Sequence, residues 1–282
     1  MDSRKDGMRG RFTVLLAGML LLLLQCLVAP APSVKAAALE FTDSLKASLE
    51  KTAEAAGGTT KTRLLKQYND LAALDKQLKA QDAKINSQRL SNEARLVEVR
   101  KQISNLDADK IRKLDSQAKT ARSKLQPLLN LHSTLNKQAS AVKSRKDKSL
   151  YKSLKQQADA MKPAIELARL HIRNREAELK AAKSEKTRRT KEIRTVLSQI
   201  DAVKVKIKAE RSAVSSKNKS MATEWKNFKT ALKNKDAGRA SDTLNRATKL
   251  SNQVLTHKQN MYKLETQISE IIAKAAAKIN SK

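Results

Sequence analysis

Aromatic side chains number only seven in 282 residues, glycines six, prolines four and cysteines one. Each scarcity removes a class of protein. Six glycines leave little material for phosphate-cradling loops or strained catalytic turns, and no nucleotide loop or nucleophile elbow occurs in the chain. The single cysteine, Cys26, excludes an intramolecular disulfide framework and any cysteine-based zinc site. Single-stranded nucleic acid is normally held on stacked aromatics, which this chain lacks outside one cluster. Acidic residues are short as well, 28 against 59 Lys and Arg, for a net charge of +31.

What is present begins with an export signal. Arg4, Lys5, Arg9 and Arg11 precede an uncharged run from Phe12 to Val28, then Pro30, Pro32 and small residues up to Ala38. Residues 1–36 read as a signal peptide with Val34-Lys35-Ala36 as the cleavage tripeptide. An uncleaved anchor at 12–28 is the alternative, because the run slightly exceeds the usual signal core. Gln25 before Cys26 makes a poor lipid-attachment site. Either reading sends the rest of the chain across a membrane, secreted or held at the cell envelope.

Without residues 1–36 the chain keeps 54 basic and 26 acidic side chains, net +28, and loses its cysteine. The excess is uneven: +2 over 37–100, +14 over 101–190 and +12 over 191–282. Such a field attracts polyanions and repels copies of itself.

The apolar residues follow a heptad code. Leu64, Leu71, Leu78 and Ile85 recur every seven residues, and Leu96, Val99, Ile103 and Leu106 continue them. From 114 to 142 the series Leu114, Ala118, Ala121, Leu125, Leu128, His132, Leu135, Ala139, Val142 keeps spacings of four and three without a miss. This is a coiled-coil seam. Between the two series the phase slips at about Asp107 to Lys110, which predicts a local change of winding or a short break.

Helix breakers then set the organisation. Gly57-Gly58 separates a short helix, 40–56, from a long one, 59–143, that opens with N-cap chemistry at Thr59-Thr60. The polar run 143–149 reads as a turn, with Asp147 or Ser149 capping a second long helix, 148–234. A second turn at 234–238 leads to a C-terminal helix, 239–280. Pro127 and Pro163 lie inside the long helices, where a kink is tolerable in a thin rod. Near-equal lengths joined by a short loop predict an all-α antiparallel coiled-coil hairpin with arms of roughly 130 Å. The half-length last helix should fold back and make a three-helix bundle at the base. In that register antiparallel partners sum to about 292 in the first pair and about 472 in the second, so Trp225 lies beside Tyr68 and near Ala247.

Candidate functional residues are few. His132 falls on the seam, where it sets register or snorkels, and His171 and His257 read as surface or boundary positions; none has metal-ligand spacing, so no metal or cofactor is expected. Asn218-Lys219-Ser220 matches a glycosylation sequon at chance level. Trp225, Phe228 and Tyr68 are expected to plug the widest part of the bundle. Lys143, Arg145, Lys146, Lys148 and Lys152 concentrate charge at the rod tip, and Arg188 and Arg189 belong to a second concentration on the same arm. These are the anion-binding candidates.

The order of export signal, Gly-Gly break and long Lys/Ala/Leu-rich heptads resembles the coiled-coil portion of exported envelope proteins of Gram-positive bacteria, including the regulatory arm of some wall hydrolases. The resemblance is architectural and carries no motif. It implies a non-enzymatic spacer, scaffold or binding rod at the cell envelope, whose partners are an anionic wall polymer or phospholipid surface, or a protein docked on the coil. A regulator of a separate wall enzyme and a non-specific polyanion or nucleic-acid binder are the alternatives; export argues against nucleic acid.

Overall fold

The computed structural model describes residues 39–281. The expected signal peptide over 1–36, its anchor alternative at 12–28 and Cys26 lie outside the described residues. Within them the chain is all-helical: α1 (Asp43–Ala56), α2 (Gly58–Asn105), α3 (Ala108–Ser144), α4 (Lys148–Lys233) and α5 (Ala237–Asn280). Among the described residues no helix is long and apolar enough to cross a membrane.

Local chemistry explains the helix ends. The Thr42 hydroxyl accepts from the Leu45 amide at 3.3 Å and starts α1. Gly57 closes that helix through its N–H to the Ala53 and Glu54 carbonyls, and at φ 64° it then serves as the first residue before α2. Gly58 follows at φ 48°, so two successive left-handed residues make the corner, which a side chain would disfavour. The expected Thr59-Thr60 cap is therefore not used: α2 begins one residue earlier and its N-cap makes no side-chain hydrogen bond. Asp147 caps α4 by accepting from Leu150 N at 3.0 Å, and Asp236 caps α5 by accepting from Arg239 N at 2.9 Å. The last helix thus starts at Ala237, ahead of the expected 239.

One helix predicted over 59–143 is two. Leu106 and Asp107 interrupt it, with Asp107 in the left-handed region at φ 53°. The break falls where the heptad phase slips, because a straight helix could not keep both seams facing their partners. Pro127 and Pro163, by contrast, are both accommodated inside continuous helices.

The helix pairings can be followed along named contacts. Between α2–α3 and α4, Tyr68 meets Phe228, Asp107 binds Arg189 and Arg122 binds Glu176, so one set of numbers rises as the other falls. Between α4 and α5, Arg246 pairs with Glu224, Ser251 with Met221 and His257 with Glu210. Between α2 and α5 the numbers climb together: Gln67 with Ser241, Asp82 with Lys258, Asn92 with Glu265 and Arg95 with Ser269.

The core is built by four helices, α2, α4 and α5 together with α1, whose Leu49 and Ala53 are fully buried in it. Leu64, Leu71, Leu244 and Ile272 are fully buried there beside Trp225 and Phe228. Each such side chain contributes roughly 1.5–3 kcal/mol relative to exposure. In α3 the buried residues are only Ala118, Ala121 and Ala139.

Candidate anion-binding surfaces

Charge on this molecule is sorted by geometry that begins in the helices. Lys143 and Arg145 end α3, Lys146 adopts the left-handed conformation at φ 64°, and Lys148 and Lys152 lie in the first turns of α4. All five are exposed. Lys143 Nζ sits 5.9 Å from the centroid of the Tyr151 ring, a distance at which the ring face attracts a cation. The ion pairs nearest this turn involve other residues, Lys155 and Lys162 with Asp159. Those two lysines hold the Asp159 carboxyl below the usual carboxylate range.

Arg188 and Arg189 are about 60 Å farther along α4, at 1.5 Å per residue, so the structure does not join them to the turn. Nor are both available. Arg188 reaches Glu185 at 2.5 Å and Glu192 at 2.6 Å on its own helix. Arg189 turns inward: its guanidinium donates to Asp107 at 3.1 and 3.3 Å and to the Ile279 and Ser281 carbonyls at 2.9 Å each. It therefore satisfies the terminal carbonyls of α5 and the residue that breaks α2 from α3. Arg189 is a structural clamp rather than an anion-binding residue, because its donors are spent where three helix ends meet. Lys186 assists, donating to the Ser104 carbonyl at 3.2 Å.

The aromatic residues converge. Trp225 lies 5.1 Å from Phe228 and 5.1 Å from Phe41, while Tyr68 lies 5.2 Å from Phe41 and 6.3 Å from Phe228, all between ring centroids. Four of the seven aromatics thus form one cluster. Phe41 escapes a heptad reading because it precedes α1 and lies outside any repeat; the scarcity of aromatics is the only sequence signal that could have found it. The Trp225 indole N–H is buried without a hydrogen-bond partner, and burial pushes the Tyr68 phenol up.

Polar side chains also enter the helix interface. Asn92 Nδ2 donates to the Glu265 carbonyl oxygen at 2.7 Å and to its carboxylate at 3.0 Å. Lys258, 3% exposed, reaches the half-exposed Asp82 carboxylate at 2.5 Å. Burial raises the Glu265 carboxyl above its ordinary range, with the Asn92 hydrogen bond opposing. Asn92 occupies the heptad position between Ile85 and Val99, so the series 64, 71, 78, 85, 92, 99, 106 is unbroken once an asparagine is admitted to it. Such polar pairs fix register.

Of the histidines, His132 is half-buried with the Asn136 amide 3.1 Å from its ring, His171 is exposed, and His257 Nδ1 lies 2.6 Å from Glu210. Among the described residues no group of three His, Cys, Asp or Glu is placed to hold a metal ion. The arrangement offers electrostatic capture: cations on exposed helix faces, with acidic partners withdrawn from some of them. The chain matches no protein-family model, no curated protein and no solved structure.

Proposed function

We propose that this chain is an exported, non-enzymatic binding rod of the cell envelope. Its α2–α3 arm and α4 form an antiparallel coiled-coil hairpin, and α5 folds back along α4 to make a three-helix bundle at the base. The opposed numbering of Asp107–Arg189 and Arg122–Glu176 supports the hairpin. The parallel climb of Asp82–Lys258 and Asn92–Glu265 supports the return of α5. The rod holds an anionic envelope component, wall polymer or phospholipid, at the turn between its two long arms.

The observation that carries this reading is the grouping of five exposed cations around that turn, beyond the last local ion pairs. Charges gathered at a rod end can approach a surface together. Exposed pairs are individually weak and screened beyond about 8–10 Å, so several acting at once give binding that falls steeply with salt. The test changes Lys143, Arg145, Lys146 and Lys148 to glutamine and sediments the protein with phosphatidylglycerol-containing vesicles. The expected result is unchanged helicity and melting temperature with weakened sedimentation. Binding equal to the parent at low and moderate salt overturns the role of the turn.

A further inference from the structure

A second cationic surface lies along the side of α4. The charged stretch 183–194 alternates in sequence, yet the fold sorts it. Arg188 collects both Glu185 and Glu192, and Arg189 is turned in against Asp107. Lys183, Lys191 and Arg194 remain exposed and outside these pairs. They line shallow hollows that join end to end. One hollow lies between Lys183 and the α3 face around Asp115 and Lys119, the next two run along α4 through Thr187 to Arg194, and the last is shared by Arg194, Lys204 and Arg100 of α2. The strip follows α4 from Glu176 to Lys204, about 42 Å at 1.5 Å per residue.

Of its three carboxylates, Asp115 and Glu176 are paired, and Asp201 lies among Arg100, Arg194 and Lys204 in the last hollow without an ion pair. Lys119 holds Asp115 at 2.7 Å and Arg122 holds Glu176 at 2.6 Å. The Asp115 carboxyl lies below its ordinary range, first through the Lys119 hydrogen bond and also through the charges of Lys119 and Lys183, as expected in a positive field. Successive cations at Lys183, Lys191, Arg194 and Lys204 are separated along the helix by about 12, 5 and 15 Å. A planar bilayer meets the ridges of a coiled coil and not the hollows between them. A flexible chain of anions can settle into the hollows and meet each cation in turn.

We infer that the strip running from Lys183 to Lys204, with Arg100 across from Arg194, is a binding site for a linear polyanion bearing repeated phosphate or sulfate groups. This rests on the reading of the protein as an anion-binding rod, and it assigns the polymer to the side of the rod. A polymer held there lies along the axis next to the Arg189 clamp, leaving the turn at 143–152 free.

Two variants of the full chain, each losing four cations, separate this site from net charge: Lys183, Lys191, Arg194 and Arg100 to Gln, and Lys143, Arg145, Lys146 and Lys148 to Gln. All eight positions are exposed, and circular dichroism checks that both variants keep the parent helicity. The probes are long-chain inorganic polyphosphate, dextran sulfate and phosphatidylglycerol vesicles. The strip variant is expected to bind polyphosphate and dextran sulfate at least tenfold more weakly than the parent at 150 mM salt. Its slope of log K against log salt should be shallower by about 3, taking about 0.7 per contact as for flexible polyanions. The turn variant should bind both polymers within threefold of the parent. Equal losses in the two variants would assign the effect to net charge and overturn the site, as would polymer binding that the strip variant leaves unchanged. A strip variant that loses vesicle binding as strongly as polymer binding would make the strip a membrane surface and also overturn it. Vesicle binding by the turn variant tests the separate role of the turn, so either reading can fail alone.

Discussion

The region where α2, α4 and α5 lie together and the region where α3 and α4 pair use the same heptad code with different results. In the first, Leu64, Leu71, Val254 and Ile272 are sealed from water. In the second, the seam leucines Leu114, Leu125, Leu128 and Leu135 are only half-buried, and the residues of α3 that are fully covered are alanines. A leucine facing two helices has neighbours on both flanks, whereas one facing a single helix overhangs its interface. On α3 only methyl groups disappear, and the larger buried side chains of this region, Ile165 and Ile172, come from α4. The seam pattern therefore reports which face packs, and the side chains that arrive opposite each position decide how deeply it is covered.

The largest expected effect tests that contrast directly. Leu71→Ala should cost about 2–5 kcal/mol and Leu128→Ala a value at or below the low end of that range, because the half-buried site creates less cavity and admits water. Urea unfolding of the two variants measures the difference. The reverse order would mean that the α2–α4–α5 region is not the stabilising one.

Next in size is the ion pair of that region between the buried Lys258 and the half-exposed Asp82. Asp82→Ala leaves the Lys258 ammonium buried with only the Leu78 carbonyl, at 3.5 Å, for company, and should cost about 1–3 kcal/mol. Lys258→Met should be nearly neutral, since an apolar side chain of similar volume replaces the charge. Melting temperatures that fall equally for both would show the ammonium to be an essential part of the packing.

The boundary between the regions comes third. Arg189→Gln shortens the side chain and removes the charged, two-armed guanidinium that joins Asp107 to the end of α5, and should cost about 1–2 kcal/mol. Hydrogen exchange should accelerate first at 272–281 and 104–110. Protection lost instead near the 143–149 turn would break the picture of Arg189 as the clamp at the junction.

The smallest effect is a pH dependence confined to the thicker region. Burial holds the Glu265 carboxyl above its ordinary range, so the folded state takes up its proton more readily than the unfolded state. The folded protein is favoured at this site at low pH and loses that advantage as pH rises from the ordinary carboxylate value through the raised one. Glu265→Gln keeps an acceptor for Asn92 and removes the penalty. The variant should melt with the parent near pH 4 and above it near pH 7.5, by no more than about 1 kcal/mol of stability. Equal melting temperatures at both pH values would show the carboxyl to be effectively solvated.

Much of this was legible in the chain and some was not, for reasons that can be located. The helical class, the Gly57-Gly58 corner and the phase slip at Asp107 all follow from local spacing. Asn92, Lys258 and Glu265 were hidden because a seam is found by its apolar positions, and polar residues at those positions register as gaps. Arg189 was grouped with Arg188 because they are neighbours in one basic run. Adjacent helical residues point about 100° apart, and that rotation gives one of them to its own helix and the other to a residue 82 positions earlier.

The sequence by itself determined that the chain is helical, where its helices are interrupted, which faces are apolar, and how strongly and where it is positive. These are properties of residue type and short-range periodicity, and they hold whatever the helices pack against. Only the tertiary structure decided that Phe41 joins Tyr68, Trp225 and Phe228, that Lys258 and Glu265 are buried, and that Arg189 reaches Asp107 and the end of α5. Most of those outcomes depend on contacts between residues far apart in the chain, where only a packed neighbour can supply a partner or exclude water. Periodicity can place a side chain on a face; the helix that arrives there determines whether the residue becomes core, clamp or free charge.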